Sequence, residues 1–165
     1  MNHSEKIIAI GRADTLLSTL QYLTSNNHNI VMIITSKSSQ YQYKTKSIDF
    51  EKFAEIHGID FINTNNLKDE KLLRKIKDLN PDIGISVNWQ FLISESFINL
   101  FPKGILNAHP GDLPRYKGNS ARNWALINHE KSFSVTIHLM NSVLDGGPIV
   151  LKKTFSINDE TTIKT

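Results

Sequence analysis

Three short apolar runs limit the fold most: Lys6-Ile7-Ile8-Ala9-Ile10-Gly11, Ile30-Val31-Met32-Ile33-Ile34-Thr35 and Asp82-Ile83-Gly84-Ile85-Ser86-Val87. The first two are continuous rather than alternating, as strands buried on both faces are. Helical spacing fills the gaps. Leu16, Leu17, Leu20 and Leu23 follow the first run, with Asp14 or Thr15 available as a cap. Phe50, Phe53, Ala54 and Ile56 form a short helix ended by Gly58, before a further strand over Asp60-Phe61-Ile62-Asn63. Residues 66–79 carry the clearest amphipathic pattern, with Leu67, Leu72, Leu73, Ile76 and Leu79 in one stripe, stopped by Asn80-Pro81. Residues 36–46 are polar and aperiodic and read as a mobile loop. Strands that alternate with helices predict an α/β fold with a mainly parallel sheet covered on both faces.

The later pattern differs. A short helix is expected over 94–101, a strand over 104–107 and a helix over 119–128, where Trp124 and Leu126 are available for packing. Phe133-Ser134-Val135-Thr136-Ile137-His138-Leu139 alternates, which predicts a strand with one exposed or site-facing side. A last strand runs from Ile149 to about residue 157. These late strands predict an antiparallel portion.

The 165 residues suffice for one domain with a real core, expected over 1–165. The final residues 159–165 read as the opening turn of a helix without its body, as in a domain cut short. No apolar run reaches membrane-spanning length and no signal-peptide layout opens the chain, so a cytoplasmic protein is expected. The absence of cysteine excludes disulfides, thiolate metal sites and a cysteine nucleophile together. Six histidines lack metal-ligand spacing, and no metal is expected. The net charge of +3 is modest and its lysines are scattered, so nucleic acid is not expected as a partner, whereas an anionic small molecule is compatible.

The chemistry concentrates in Asn107-Ala108-His109-Pro110-Gly111-Asp112-Leu113-Pro114-Arg115-Tyr116-Lys117-Gly118. Two residues apart on a strand, Asn107 and His109 point to one side. Pro110 and Gly111 then end the strand. An amide donor and an imidazole thus stand at a strand's carboxyl end, where open α/β sheets bind ligands. Leu144-Asp145-Gly146-Gly147-Pro148 places an acid in a second tight turn. By itself Asp-Gly is an ordinary turn dipeptide, and Tyr116, Lys117 and Gly118 an ordinary loop; their co-occurrence in order is the signal. An amide, an imidazole and a carboxylate suit acyl-type transfer to an amine.

Gly11 after the first strand lacks the further glycines of a dinucleotide fingerprint, with Arg12, Ala13 and Thr15 in their places, so no nicotinamide or flavin is expected. A plain strand-to-helix turn is the favoured reading of Gly11; a weaker one gives Gly11 and Arg12 to a substrate phosphate. His138 shares a face with Thr136 and Met140 and supports the site as readily as it does chemistry.

Together these residues resemble the 10-formyltetrahydrofolate-dependent formyltransferase family, whose members act on methionyl-tRNA, glycinamide ribonucleotide or sugar nucleotides. Its Asn-x-His is similar to Asn107-Ala108-His109, its Leu-Pro to Leu113-Pro114, and its aromatic-basic-Gly to Tyr116-Lys117-Gly118. Thr136-Ile137-His138 matches its Thr-x-His and Asp145-Gly146-Gly147-Pro148-Ile149 its Asp-x-Gly-x-Ile. The likeness is strong over about 81–150 and architectural before that. Gly111-Asp112 departs from the Ser-Leu found there in many members.

The resemblance implies the Rossmann-like formyltransferase fold and formyl transfer from 10-formyltetrahydrofolate to a primary amine. Asn107, His109 and Asp145 would be catalytic, with Thr136, His138 and Gly147 supporting. Asn107 and protonated His109 would donate to the developing oxyanion while Asp145 orients the ring. Gln90, Phe91, Leu92 and Ile93 with Asn141, Ser142, Val143 and Leu144 would hold the pterin, although core packing explains 91–93 equally well. Gly11, Arg12, Gly111, Tyr116, Lys117 and Gly118 would meet the acceptor. Trp124 and the runs around it favour a nucleotide-linked amino sugar, with methionyl-tRNA or glycinamide ribonucleotide next. A non-catalytic folate- or nucleotide-binding module is the alternative of another class, and a homodimer stays open.

Overall fold

Four parallel strands carry the first part of the chain: β1 (Lys6–Gly11), β2 (Asn29–Thr35), β3 (Asp60–Asn63) and β4 (Ile83–Val87). The computed structural model describes residues 4–37 and 44–162. Residues 38–43 of the expected polar loop and the last three of the terminal segment lie outside the described residues. The chain forms two compact units, divided between Leu106 and Asn107.

In the first unit the strands lie in the order β3-β2-β1-β4. They are connected by α1 (Ala13–Ser25), α2 (Ser47–His57) and α3 (Glu70–Leu79). The order reverses at β1, and β4 returns to its free side. Right-handed crossovers then put α1 and α2 on one face and α3 on the other. This explains why the apolar runs are continuous: Ile8, Ala9 and Ile10 of β1 and Met32, Ile33 and Ile34 of β2 have no exposed surface. Leu16 and Leu20 of α1, Phe50 of α2 and Ile76 of α3 are likewise buried. Gly84 makes room in β4, since a Cβ there would stand 2.8 Å from Ile105 Cγ1 and 3.3 Å from Phe101 Cε1.

Several boundaries differ from the sequence reading. α1 starts at Ala13 with Arg12 as its N-cap. Neither Asp14 nor Thr15 caps it; the Asp14 carboxylate instead accepts from the Thr45 backbone N–H at 2.9 Å and from the Thr45 hydroxyl. α3 begins only at Glu70, because Asp69 is the cap and its side chain accepts from the Leu72 N–H at 3.0 Å. Leu67 is buried from the preceding turn rather than from the helix. Gly58 and Asn80, with φ of 64° and 48°, end α2 and α3 in the left-handed conformation. α4 (Glu95–Ile98) is a single turn that buries Phe97 and Ile98.

β5 (Ile105–His109) carries the chain into the second unit and continues through His109. There α5 (Ala121–Ile127) precedes the antiparallel pair β6 (Ser132–Leu139) and β7 (Ile149–Ser156). α5 buries Ala121 and Ala125, whereas Trp124 is 54% exposed. The buried face of β6 is its polar one, Ser134, Thr136 and His138, while the apolar residues between them are half-buried. The α/β architecture with a parallel sheet and a late antiparallel portion is the one the pattern predicts.

Candidate active site

The site in the second unit grows from β5, β6 and the two turns after them. His109, the last residue of β5, is 4% exposed. Its Nε2 lies 2.7 Å from the Tyr116 carbonyl oxygen, and its Nδ1 lies 3.5 Å from Asp145 Oδ2. A carbonyl only accepts, so Nε2 carries a proton and donates it to Tyr116. Nδ1 is the nitrogen that faces the carboxylate.

Asp145 sits in the turn between β6 and β7 with φ of 45°. Its Oδ2 accepts from the Gly118 N–H at 2.7 Å, and its Oδ1 lies 3.6 Å from His138 Nε2. The carboxyl is held below the ordinary carboxylate range, chiefly by the His138 imidazole and then by the Gly118 N–H and the charge of His109, against the cost of burial. At 3.6 Å the His138 contact is electrostatic rather than a formed hydrogen bond.

His138 stands between Asp145 and Asn107. Its Nδ1 is 3.1 Å from the Leu139 carbonyl oxygen and its Nε2 3.1 Å from Asn107 Nδ2. In the neutral ring Nδ1 donates to the carbonyl and Nε2 accepts from the Asn107 amide, whereas the charged ring turns an Nε2–H to Asp145, and it is that form which holds the carboxyl low. The expected three-residue cluster is therefore a chain of four, Asn107–His138–Asp145–His109. Asn107 bonds to His138 of β6. Strand periodicity put Asn107 and His109 on one side, but the nearest ring to the amide comes from β6.

The turns are shaped by sterics. A Cβ on Gly111 would overlap His109 Nε2 and the Tyr116 carbonyl oxygen, and one on Gly147 would overlap the Leu139 carbonyl oxygen. Thr136 Oγ1 donates to the Gly111 carbonyl at 2.7 Å. Tyr116 has a φ of 51° and the Leu113–Pro114 peptide is cis. Lys117 is exposed.

The remaining expected residues divide between the units. In the first, Gly11 leaves no room for a Cβ against the Val87 carbonyl, which accounts for the glycine by the turn alone. Arg12 Nε donates to the Asn88 carbonyl at 3.1 Å and Nη1 to the Gln90 side chain. Ile93 is 7% exposed and belongs to the core, whereas Leu92 is 83% exposed and Phe91 meets Trp89 edge-on with ring centroids 5.5 Å apart. In the second unit Asn141 Oδ1 accepts from the Val143 N–H at 3.0 Å, Ser142 is exposed, and Val143 and Leu144 expose their apolar side chains.

Sequence reasoning missed Glu130, Arg115 and Lys152. Glu130 accepts from the Tyr116 hydroxyl at 2.6 Å and pairs with Arg115, and Lys152 Nζ donates to Asp112 Oδ1 at 2.9 Å and to the Leu113 carbonyl. Lys152 holds the Asp112 carboxyl below its usual range. No local spacing links Glu130 or Lys152 to the loop they brace. Among the described residues no cluster of histidine and carboxylates suits a metal, and no helix is long and apolar enough to cross a membrane.

A family model described as formyl transferase matches residues 5–165. The chain belongs to the formyl transferase family. Among similar formyl transferases, the methionyl-tRNA formyltransferase of Thermodesulfovibrio yellowstonii is 31% identical over 164 residues, covering 98% of this chain and 53% of that protein. That of Finegoldia magna is 31% identical over 157 residues, covering 94% of this chain and 51% of the relative. The chain thus spans about half the length of these curated relatives. In fold it is similar to glycinamide ribonucleotide transformylase 1 from Symbiobacterium toebii, with a TM-score of 0.80 at 19% identity over 99% of this chain and 79% of that one. A formyltetrahydrofolate deformylase from Pseudomonas syringae has a TM-score of 0.78 at 17% identity, over 99% of this chain and 55% of that one.

Proposed function

We propose that this chain carries formyl transfer from 10-formyltetrahydrofolate to a primary amine. The observation that carries the reading is the buried His109 ring, with Nε2 tied to the Tyr116 carbonyl and Nδ1 turned to Asp145. Family membership supports it. The amine attacks the formyl carbon of the folate; as the tetrahedral adduct collapses, the bond from that carbon to the folate nitrogen breaks, and tetrahydrofolate leaves with the proton that the attacking amine gave up. Val143 and Leu144, next to Asp145 in the chain, expose apolar surface that suits a flat ring system.

Nδ1 is the working nitrogen of His109, because Nε2 is already committed. The 3.5 Å gap from Nδ1 to Asp145 is longer than a good hydrogen bond, so an N–H there is free to turn to an oxyanion. Without that proton, Nδ1 can receive one from the attacking amine, and Asp145 stabilises the resulting cation. The Asn107 amide, oriented by His138, is the second donor. Asp145 stays ionised for this task because its neighbours hold its pKa down. Gly111, Tyr116, Lys117 and Gly118 remain the proposed acceptor contacts.

For the acceptor, a nucleotide-linked amino sugar rests on the residues around the exposed Trp124 alone, and the relatives lend it no support. Methionyl-tRNA is the second reading, favoured by 31% identity to an enzyme of that name over 98% of the chain. The test is formyl transfer by the purified chain to methionyl-tRNA, glycinamide ribonucleotide and nucleotide-linked amino sugars in parallel. One acceptor should turn over, and Asn107→Ala and Asp145→Ala should each lower that rate by about 10²-fold or more. Near-normal rates in both variants would remove the mechanism. Folate binding without turnover of any acceptor would favour a binding module.

A further inference from the structure

Glu130 lies outside the four-residue chain, yet the loop that caps His109 is tied to it. The Glu130 backbone is anchored just after α5, its N–H donating to the Ala125 carbonyl at 3.0 Å. Its carboxylate accepts from the Tyr116 hydroxyl at 2.6 Å and pairs with Arg115. Asn128 Nδ2 donates to the same hydroxyl at 3.0 Å, and the Arg115 guanidinium lies over the Tyr116 ring, 5.2 Å from its centroid. The tyrosine is thus gripped at its tip and on its face. Its backbone holds a left-handed φ of 51°, which an aromatic residue keeps only where its surroundings enforce it. The carbonyl of that residue receives the His109 Nε2–H.

We propose that Glu130 is a positioning residue for His109: by gripping the Tyr116 side chain it fixes the Tyr116 carbonyl, which in turn fixes the tautomer and orientation of the imidazole. The proposal rests on the formyl-transfer reading for its consequence in catalysis, and on the loop geometry alone for its consequence in structure. The Tyr116 hydroxyl, first, and Arg115 hold the Glu130 carboxyl below its usual range, so it remains an acceptor across the neutral pH range. Charged groups near this grip are Arg115 and Asp112 on the loop and Lys152 on β7, which braces Asp112 at the other end of the turn. With Tyr116 released, Nε2 loses its fixed acceptor and Nδ1 no longer points reliably at Asp145.

The test compares the unmodified chain with Glu130→Ala, Glu130→Gln and Tyr116→Phe. The first readout is solvent exchange of the His109 Nε2–H by nitrogen-15 NMR on the chain without ligands. Glu130→Ala and Tyr116→Phe should speed it by about 10-fold or more, with Glu130→Gln between them and the parent. The second is steady-state formyl transfer, in which the same variants should lower kcat by about 10-fold, with KM changed by no more than about twofold in the Glu130 variants. Should Glu130→Ala fail to fold, Tyr116→Phe and Glu130→Gln carry both readouts. Unchanged His109 exchange in folded variants overturns the proposal, as does a loss of thermal stability with kcat intact. An altered His109 signal in a chain that transfers no formyl group to any acceptor would leave the positioning standing and sink the activity.

Discussion

Gly111 shows how far one missing methyl group governs this site. Its φ lies outside the left-handed region, so backbone freedom does not explain the glycine. Space does, because any Cβ would enter the contact between His109 Nε2 and the Tyr116 carbonyl. Gly111→Ala should therefore destabilise the chain by about 1–3 kcal/mol through overpacking. It should also lengthen that hydrogen bond and lower formyl transfer more than folate binding. Urea titration and paired kinetic and binding measurements check this. An alanine variant as stable and active as the parent would contradict the packing described here.

At the scale of elements, β6 inverts the usual amphipathic rule. Its polar residues face inward because each has a partner there: Ser134 with Thr154, Thr136 with the Gly111 carbonyl, His138 with Asn107. Buried polar groups are tolerated on that condition. Thr136→Val keeps the shape and removes the donor, leaving a buried carbonyl without its hydroxyl partner. The Gly111 carbonyl still accepts from the Leu113 N–H at 3.1 Å, so a loss of about 0.5–1.5 kcal/mol in chemical denaturation is expected. In the first unit, Asp69→Ala removes the α3 cap and should cost about 1 kcal/mol. For a chain of this size that lowers Tm by about 2–4 °C in calorimetry. No effect of Asp69→Ala on formyl transfer kinetics at lower temperature is expected, since α3 supplies none of the site residues.

For the whole molecule, carboxylates held low by folding tie stability to pH, Asp112 and Asp145 among them beside Glu130 and Asp14. Asp112, through Lys152, and Asp145, through His138 and Gly118, both have pKa values lowered by folding. A lowered carboxyl contributes stability that is fully present above its unfolded value of about 4. That contribution is lost as pH falls through the lower folded value. Thermal scans should show Tm falling below about pH 4, and Asp112→Asn with Asp145→Asn together should flatten this acid limb. An unchanged acid slope in the double variant would mean that other groups carry it.

Sequence alone determined the order of strands and helices, because burial along one strand or helix leaves a period that needs no knowledge of the rest of the chain. Ile8 and Met32 on continuous apolar runs and Ile76 on a helical stripe are examples. It also marked Asn107, His109 and Asp145, through the co-occurrence in one order of motifs that are each ordinary by themselves. Tertiary structure decided the partners. His138 came between Asn107 and Asp145, Tyr116 offered its backbone rather than its ring to His109, and Glu130 reached back to hold that tyrosine. Hydrogen bonds are short and directional, so which donor meets which acceptor depends on where turns place whole strands, a quantity that no periodicity records.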